Sequence, residues 1–389
     1  MSDLMYFDCN VTIGQRQMKH PLARWSTEHL LEDMDIAEIA GALVVHGVAE
    51  SYDPVYGNAR VGKEIAKAPD RLFACWCIAP LDTPGFYGSG SEMLEAMEAA
   101  SVRAVRIVPS TVWSLHPDMM GETLSALEEN GILTLLESGW SGGKVFEFFH
   151  ELLGRHPRLP VLLTDASWGN QREVFRLMQL HENLHLEFSS YQANRALEWY
   201  AEEFGDDRLL FGSDMTFKTP GAARLALDYA QVSDESKRKV AGENLRRLLG
   251  GLGPSNPAPR RRSGDPLIEE ARAGKPLSVP VLDAHAHVLH EDGQTCGQRY
   301  FQDGDATGML EVNHWCGIDR IAMMSWNGPV CVDAVDGNEI VLSGMKKHGD
   351  EIIGAVGVSG DTSDNDEAAA VAGIEAAEWD RLAGDDNPF

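Results

Sequence analysis

The chain has 389 residues, 43% hydrophobic and 24% charged, with 60 Asp and Glu against 33 Lys and Arg and a formal net charge of −27. A polyanion repels phosphate backbones and anionic lipid, which argues against nucleic-acid and membrane-surface partners. No stretch approaches the roughly 20 apolar residues of a membrane helix. The start, Met1-Ser-Asp-Leu-Met-Tyr, lacks the basic and apolar regions of a signal peptide, so the expected location is cytoplasmic. The cysteines (9, 75, 77, 296, 316 and 331) show no disulfide spacing and read as reduced core thiols. Cys75 and Cys77 share one face of a predicted strand.

In chain order, short apolar runs alternate with amphipathic stretches. The runs are Met5-Tyr-Phe-Asp-Cys-Asn-Val, Gly41-Ala-Leu-Val-Val-His, Leu72-Phe-Ala-Cys-Trp-Cys-Ile and Val102-Arg-Ala-Val-Arg-Ile-Val. Then come Ile132-Leu-Thr-Leu-Leu-Glu, Leu159-Pro-Val-Leu-Leu-Thr-Asp, Leu184-His-Leu-Glu-Phe-Ser and Arg208-Leu-Leu-Phe-Gly-Ser-Asp. Helical patterns such as Glu92-Met-Leu-Glu-Ala-Met-Glu-Ala-Ala and Lys144-Val-Phe-Glu-Phe-Phe-His-Glu-Leu-Leu stand between them. Repeated strand–helix units with near-continuous apolar strands predict an α/β fold, a (β/α)8 TIM barrel over residues 4–250. The competitor is a doubly wound open sheet, but no Gly-x-Gly-x-x-Gly follows the first strand.

Residues 251–280 are rich in proline, glycine and charge and read as a linker; Arg260-Arg-Arg262 within it reads as a solvated charge cluster. The chain then compares with itself. Asp8-Cys-Asn10-Val-Thr12 parallels Asp283-Ala-His285-Ala-His287, Ile39-Ala-Gly-Ala-Leu-Val-Val parallels Ile318-Asp-Arg-Ile-Ala-Met-Met, and Gly57-Asn58 parallels Gly337-Asn338. Residues 281–360 therefore read as a truncated second barrel start in the order β-α-β-α-β, and 361–389 as an acidic helical tail.

The motifs Asp8-x-x-x-Thr12, Val105-Arg-Ile-Val-Pro109, Arg208-Leu-Leu-Phe-Gly-Ser-Asp214 and Gly242-Glu-Asn-Leu-Arg-Arg-Leu-Leu249 resemble the amidohydrolase-related family, in its carboxymuconate-semialdehyde decarboxylase-like branch. Residues 281–358 resemble the start of a second member, and residues 353–377 resemble the end of a small haem-binding domain of the glycolate-operon type, without the rest of that domain. The family resemblance implies one divalent metal, most often zinc, held by two His of the first strand, one each of the fifth and sixth, and an Asp of the eighth. In the first copy those positions hold Asn10, Thr12, a place near Glu137, a place near Asp165, and Asp214. Asn and Thr are poor transition-metal ligands, which leaves an oxygen site for a hard cation at Glu137, Asp165 and Asp214.

His285 and His287 carry the His-x-His metal pattern, both rings on one strand face. They would meet Glu137, Asp165 and Asp214 if the second start displaced the first three strands, within a chain or by exchange between chains. Asp214 is the candidate catalytic base, at a strand's carboxyl end. Arg106, a charge inside a strand, reads either as the grip on an anionic substrate or as half of an internal ion pair. His46 reads as a structural histidine. Gly139-Trp-Ser141-Gly-Gly has a nucleophile-elbow pattern with Asp165 and His181 or His185 as partners, against a plain glycine loop. Trp113, Trp140 and Trp168 are candidate pocket walls. The function expected is a metal-dependent hydrolase or non-oxidative decarboxylase of a small, anionic substrate. The alternative is a catalytically degenerate barrel that pairs with an intact homologous amidohydrolase or with its own copy.

Overall fold

The computed structural model describes residues 4–15, 24–108, 114–141, 145–191, 193, 195–259, 264–291, 293, 304–328 and 333–354. The chain divides into two units, Met1–Ser263 and Gly264–Phe389.

In the first unit the strands are β1 (Tyr6–Ile13), β2 (Ile39–His46), β3 (Leu72–Ile78), β4 (Ala104–Ile107), β5 (Leu133–Glu137), β6 (Val161–Thr164), β7 (Leu184–Glu187) and β8 (Leu209–Leu210). They form one sheet in sequential order, and every pair is parallel. Cys9 N donates to Phe211 O at 3.0 Å and Thr12 N to Met215 O at 2.7 Å, which brings the β8 segment back to β1 and closes the ring. The fold is the expected (β/α)8 barrel, and closure rules out the open doubly wound sheet. All eight predicted runs contain a strand. The last is shorter than its run, because Phe211 N turns away to donate to Val240 O at 2.9 Å.

Alternate residues of every strand but β7 fill the ring. Phe7, Cys9, Leu43, Val45, Phe73, Cys75, Cys77, Ala104, Leu133, Leu135, Leu162 and Leu210 make one buried cluster, which Leu245 and Leu249 extend. Continuing the same alternation towards the carboxyl ends places Arg106, Glu137 and Glu187 on the inward face above this apolar fill. Helices follow the strands with side-chain caps where the sequence supplies them. Ser26 accepts from His29 N at 3.2 Å and Asp53 from Tyr56 N at 2.9 Å.

The second unit holds β9 (Leu282–Val288), β10 (Arg320–Ser325) and β11 (Ile352–Gly354), parallel in the order β11-β10-β9. The helices Ala306–Cys316 and Ala334–His348 separate them in sequence. Ala286, Val288, Leu310, Ile321, Met323, Val341 and Ile352 form its core.

The span 251–280, expected to be a linker, contains local structure. Pro254 packs beside Gly41, and Pro266–Arg272 is a helix whose first turn Asp265 caps through Leu267 N at 2.9 Å. The second start does not displace the first within the unit, since Tyr6–Ile13 itself fills the place between β2 and β8. Residues 355–389, with the haem-domain-like segment and the acidic tail, lie outside the described residues, as does Arg260–Arg262.

Candidate active site

The carboxyl ends of the strands gather a polar layer. An irregularity of register between Asp8 and Val11 on β1 accompanies the turning of Asn10 towards the centre. There Arg106 Nη2 donates to Asn10 Oδ1 at 2.5 Å, and Asn10 Nδ2 stands 3.5 Å from Glu187 Oε1. Arg106 Nη1 donates to Glu50 Oε1 at 2.6 Å and lies 3.6 Å from Glu137 Oε1. Thr12 Oγ1 donates to the same Glu50 oxygen at 3.4 Å. Burial works against the charge on Arg106, but Glu50 and Glu137 outweigh it and hold the guanidinium's pKa above its usual value. Burial raises the pKa of Glu137, with Arg106 pulling against it and Glu50, Asp165 and Asp214 adding to the rise.

Arg106 therefore serves the internal ion pair. Its side chain is 3% exposed and both Nη atoms have acceptors within the barrel.

Glu187, at the end of β7, is fully buried. Its carboxylate accepts Asp165 N at 3.0 Å, Ser189 N at 2.6 Å and Ser189 Oγ at 2.8 Å. Burial raises its pKa, and these three donors offset part of the rise. Gly212 lies against it, where a Cβ would stand 2.4 Å from Glu187 Oε2. Asp8 is equally buried and accepts Ser213 Oγ at 2.5 Å, Ser213 N at 3.1 Å and Asn10 N at 3.0 Å. Burial pushes its pKa up to about 7.

Asp165 and Asp214 follow β6 and β8, both with left-handed backbone at φ 56°. That conformation is uncommon outside glycine but favoured by Asp, and it is found at functional turns. The turn after Asp214 returns Lys218, whose backbone N–H donates to Asp214 O at 2.9 Å. The Lys218 ammonium then stands 3.6 Å from Asp165 Oδ1 and 3.5 Å from Asp214 Oδ2, and it also donates to Ser190 Oγ. Ser190 Oγ in turn donates to Asp165 Oδ1 at 2.5 Å. The Lys218 side chain is 34% exposed, so solvent reaches this cation at the rim.

The structure thus brings Glu137, Asp165, Asp214 and Arg106 to one rim. His285 and His287 stand on β9 in the second unit. There Trp326 stacks on the His287 ring at 4.0 Å. His46 caps the following helix by accepting Val48 N at 3.2 Å, its structural reading. His181 pairs with His150 at 2.9 Å, and the buried His185 bonds to Asn183 O at 3.2 Å. Both lie near the amino end of β7, away from the rim. The side chains of Trp140, Ser141 and Trp168, and all of Trp113, lie outside the described residues. Sequence reasoning missed Glu50, Glu187 and Lys218. Glu187 carried the same signal as Arg106, a charge inside an apolar strand. Lys218 carried none beyond its place in a loop.

These residues do not fit a divalent metal. The Asn10 carbonyl is taken by Arg106, the Thr12 hydroxyl faces Glu50, and an ammonium already sits between Asp165 and Asp214. Among the described residues no group of three or more His, Cys, Asp or Glu converges to hold an ion. No described helix is long and apolar enough to cross a membrane.

The family model described as "Amidohydrolase" matches residues 23–251, a span that begins after β1. Among solved structures, the chain is similar to a manganese-bound 5-carboxyvanillate decarboxylase from Novosphingobium aromaticivorans (TM-score 0.51, 14% identity, 64% of this chain and 98% of that one). It is similar to a putative amidohydrolase from Staphylococcus aureus (TM-score 0.50, 13% identity, 64% and 100%). A probable 2-pyrone-4,6-dicarboxylic acid hydrolase from Acinetobacter baumannii resembles it at TM-score 0.48 and 14% identity, over 64% and 100%. Among curated proteins no relative matches the chain.

Proposed function

We propose, for a chain that belongs to the amidohydrolase family, that the barrel mouth hydrolyses a small carboxylate-bearing ester, lactone or amide, and does so without a metal. The observation that carries this reading is the Lys218 ammonium held at the rim beside Asp165 and Asp214, partly open to solvent. A barrel's carboxyl rim is where such folds place their chemistry.

In this reading Lys218 donates a hydrogen bond to the substrate's carbonyl oxygen as negative charge develops there. Asp214 takes a proton from the attacking water and returns it to the leaving group. Asp165 holds the ammonium in place, and its own backbone is fixed by Glu187. Arg106, Asn10 and Glu50 form the floor that keeps Glu137 at the rim. Non-oxidative decarboxylation, the other reaction expected of the family, asks the same groups for less: Lys218 pairs with the carboxylate and a protonated Asp214 delivers its proton to the carbon that loses CO2.

The test is turnover of a panel of carboxylated lactones, esters and hydroxybenzoates in the presence of EDTA. Asp214→Asn and Lys218→Met are each expected to lower kcat/KM by roughly 100-fold or more. Undiminished turnover in both variants overturns the assignment.

A second reading has its own support. Asn10 and Thr12 spend their side chains on Arg106, Glu187 and Glu50, as a packing layer would. It makes the barrel a catalytically silent partner of an intact homologue or of its own copy. Absence of turnover on the whole panel, together with a stable complex with a homologous amidohydrolase, favours it.

A further inference from the structure

The polar rim has the acids of a cation site and a cation of its own. We infer that Lys218 is a resident replacement for a divalent metal: its ammonium occupies the place between Asp165 and Asp214, so the native chain takes up no metal there, and removing that one charge opens the rim to a hard dication.

Three observations converge on this. First, Lys218 Nζ lies at nearly equal distance from the two carboxylates, 3.6 and 3.5 Å, which come from the ends of different strands. A side chain that merely paired with its own turn would meet Asp214 alone. Second, Ser190 Oγ links the ammonium to Asp165 by accepting from Lys218 and donating to Asp165, so the cation is seated by three oxygens from after β6, β7 and β8. Third, the neighbouring positions that would complete a metal's shell from β1 are the amide of Asn10 and the hydroxyl of Thr12, both committed elsewhere. Oxygen donors of this kind suit Mn2+ or Mg2+, whereas the ammonium is held by one hydrogen-bond acceptor, Ser190 Oγ, and two carboxylates at ion-pair distance. Arg106 plays the matching part lower in the mouth, paired with Glu50 and near Glu137. The two fixed cations offset part of the charge of these carboxylates without an exchangeable ion.

The inference shares its residues with the proposed hydrolysis, but metal content reads it without any turnover, so the two can fail separately. The probe is Mn2+ added to the metal-stripped full chain, followed by loss of the free-ion paramagnetic resonance signal. Mn2+ is preferred to Zn2+ because the pairs His150–His181 and His285–His287 offer nitrogen to zinc. The native protein is expected to hold no stoichiometric Mn2+. Lys218→Ala is expected to bind one equivalent with affinity raised about tenfold or more, the scale of removing one positive charge a few ångströms from a dication in water. Lys218→Arg keeps the charge and is expected to behave as native. Adding Asp165→Asn to Lys218→Ala is expected to abolish the gained binding, which locates it. Lys218→Gln serves as a second neutral variant if Lys218→Ala does not fold. Stoichiometric Mn2+ in the native chain overturns the inference. So does a folded neutral variant that binds no better than native, or gained binding that survives Asp165→Asn.

Discussion

Arg106 on β4 and Glu50, in the helix Gly47–Ser51 that follows β2, meet at 2.6 Å inside the barrel mouth with only 3% and 13% of their side chains exposed. Removing one member of such a pair strands the other. Arg106→Met is expected to cost about 3–5 kcal/mol, because the largely buried Glu50 loses its counter-charge. The double variant Arg106→Met/Glu50→Leu is expected to recover part of that cost. Denaturant unfolding of the two single variants and the double variant gives the coupling directly. Additive losses would show the pair to be energetically idle.

Gly212 is held to its identity by contact with Glu187. A methyl group at position 212 would stand 2.4 Å from Glu187 Oε2 and 3.2 Å from Cys9 Sγ. Glu187 cannot retreat without breaking its bonds to Asp165 N and Ser189 N. Gly212→Ala is expected to destabilise the barrel by about 1–3 kcal/mol or more. In a Glu187→Ala background the same substitution is expected to cost less. Thermal melts of the four proteins decide it, and equal costs in both backgrounds would refute the contact as the cause.

Asp8 gives stability a pH dependence of known sign. Its folded pKa, about 7, is raised by burial above the unfolded value of about 3.9. The folded state therefore holds the proton more tightly. The contribution is complete below pH 4 and is lost as pH rises through 7. His185 runs the other way. Burial, with Arg247 adding, lowers its pKa to about 4, so its contribution is lost as pH falls. The informative quantity is thus the difference between native protein and Asp8→Asn. The stability of native protein relative to that variant is expected to fall between pH 4 and pH 7. A difference that is flat over this window would show that Asp8 titrates normally.

The barrel thiols are expected to be inert. Cys9, Cys75 and Cys77 are buried. Burial pushes the Cys75 thiol up to about 12 and raises the other two as well. Thiolate is the reactive form, so alkylation of native protein is expected to spare these three and to modify Cys316, which is exposed. Peptide mapping by mass after iodoacetamide treatment, with and without guanidinium, checks this. Modification of Cys75 or Cys77 in native protein would mean the ring opens there.

The sequence alone was enough to read the ring of strands and part of its rim. Strands buried on both faces are near-continuous apolar runs, so Leu72–Ile78 or Val161–Thr164 declares itself locally. A carboxylate at the end of such a run, as at Glu137, Asp165 and Asp214, is also a local feature. What those groups meet is not. Arg106 finds Glu50 and Asn10 at sequence separations of 56 and 96, and Asn10 reaches Glu187 at 177. Only closure of the ring makes them neighbours. The same closure decided that Arg106 is neutralised from within and that His285 and His287 stand on another sheet. Lys218 became visible last, because its role follows from a turn that folds it back over Asp214 and towards Asp165, a relation that residue types and spacing do not encode.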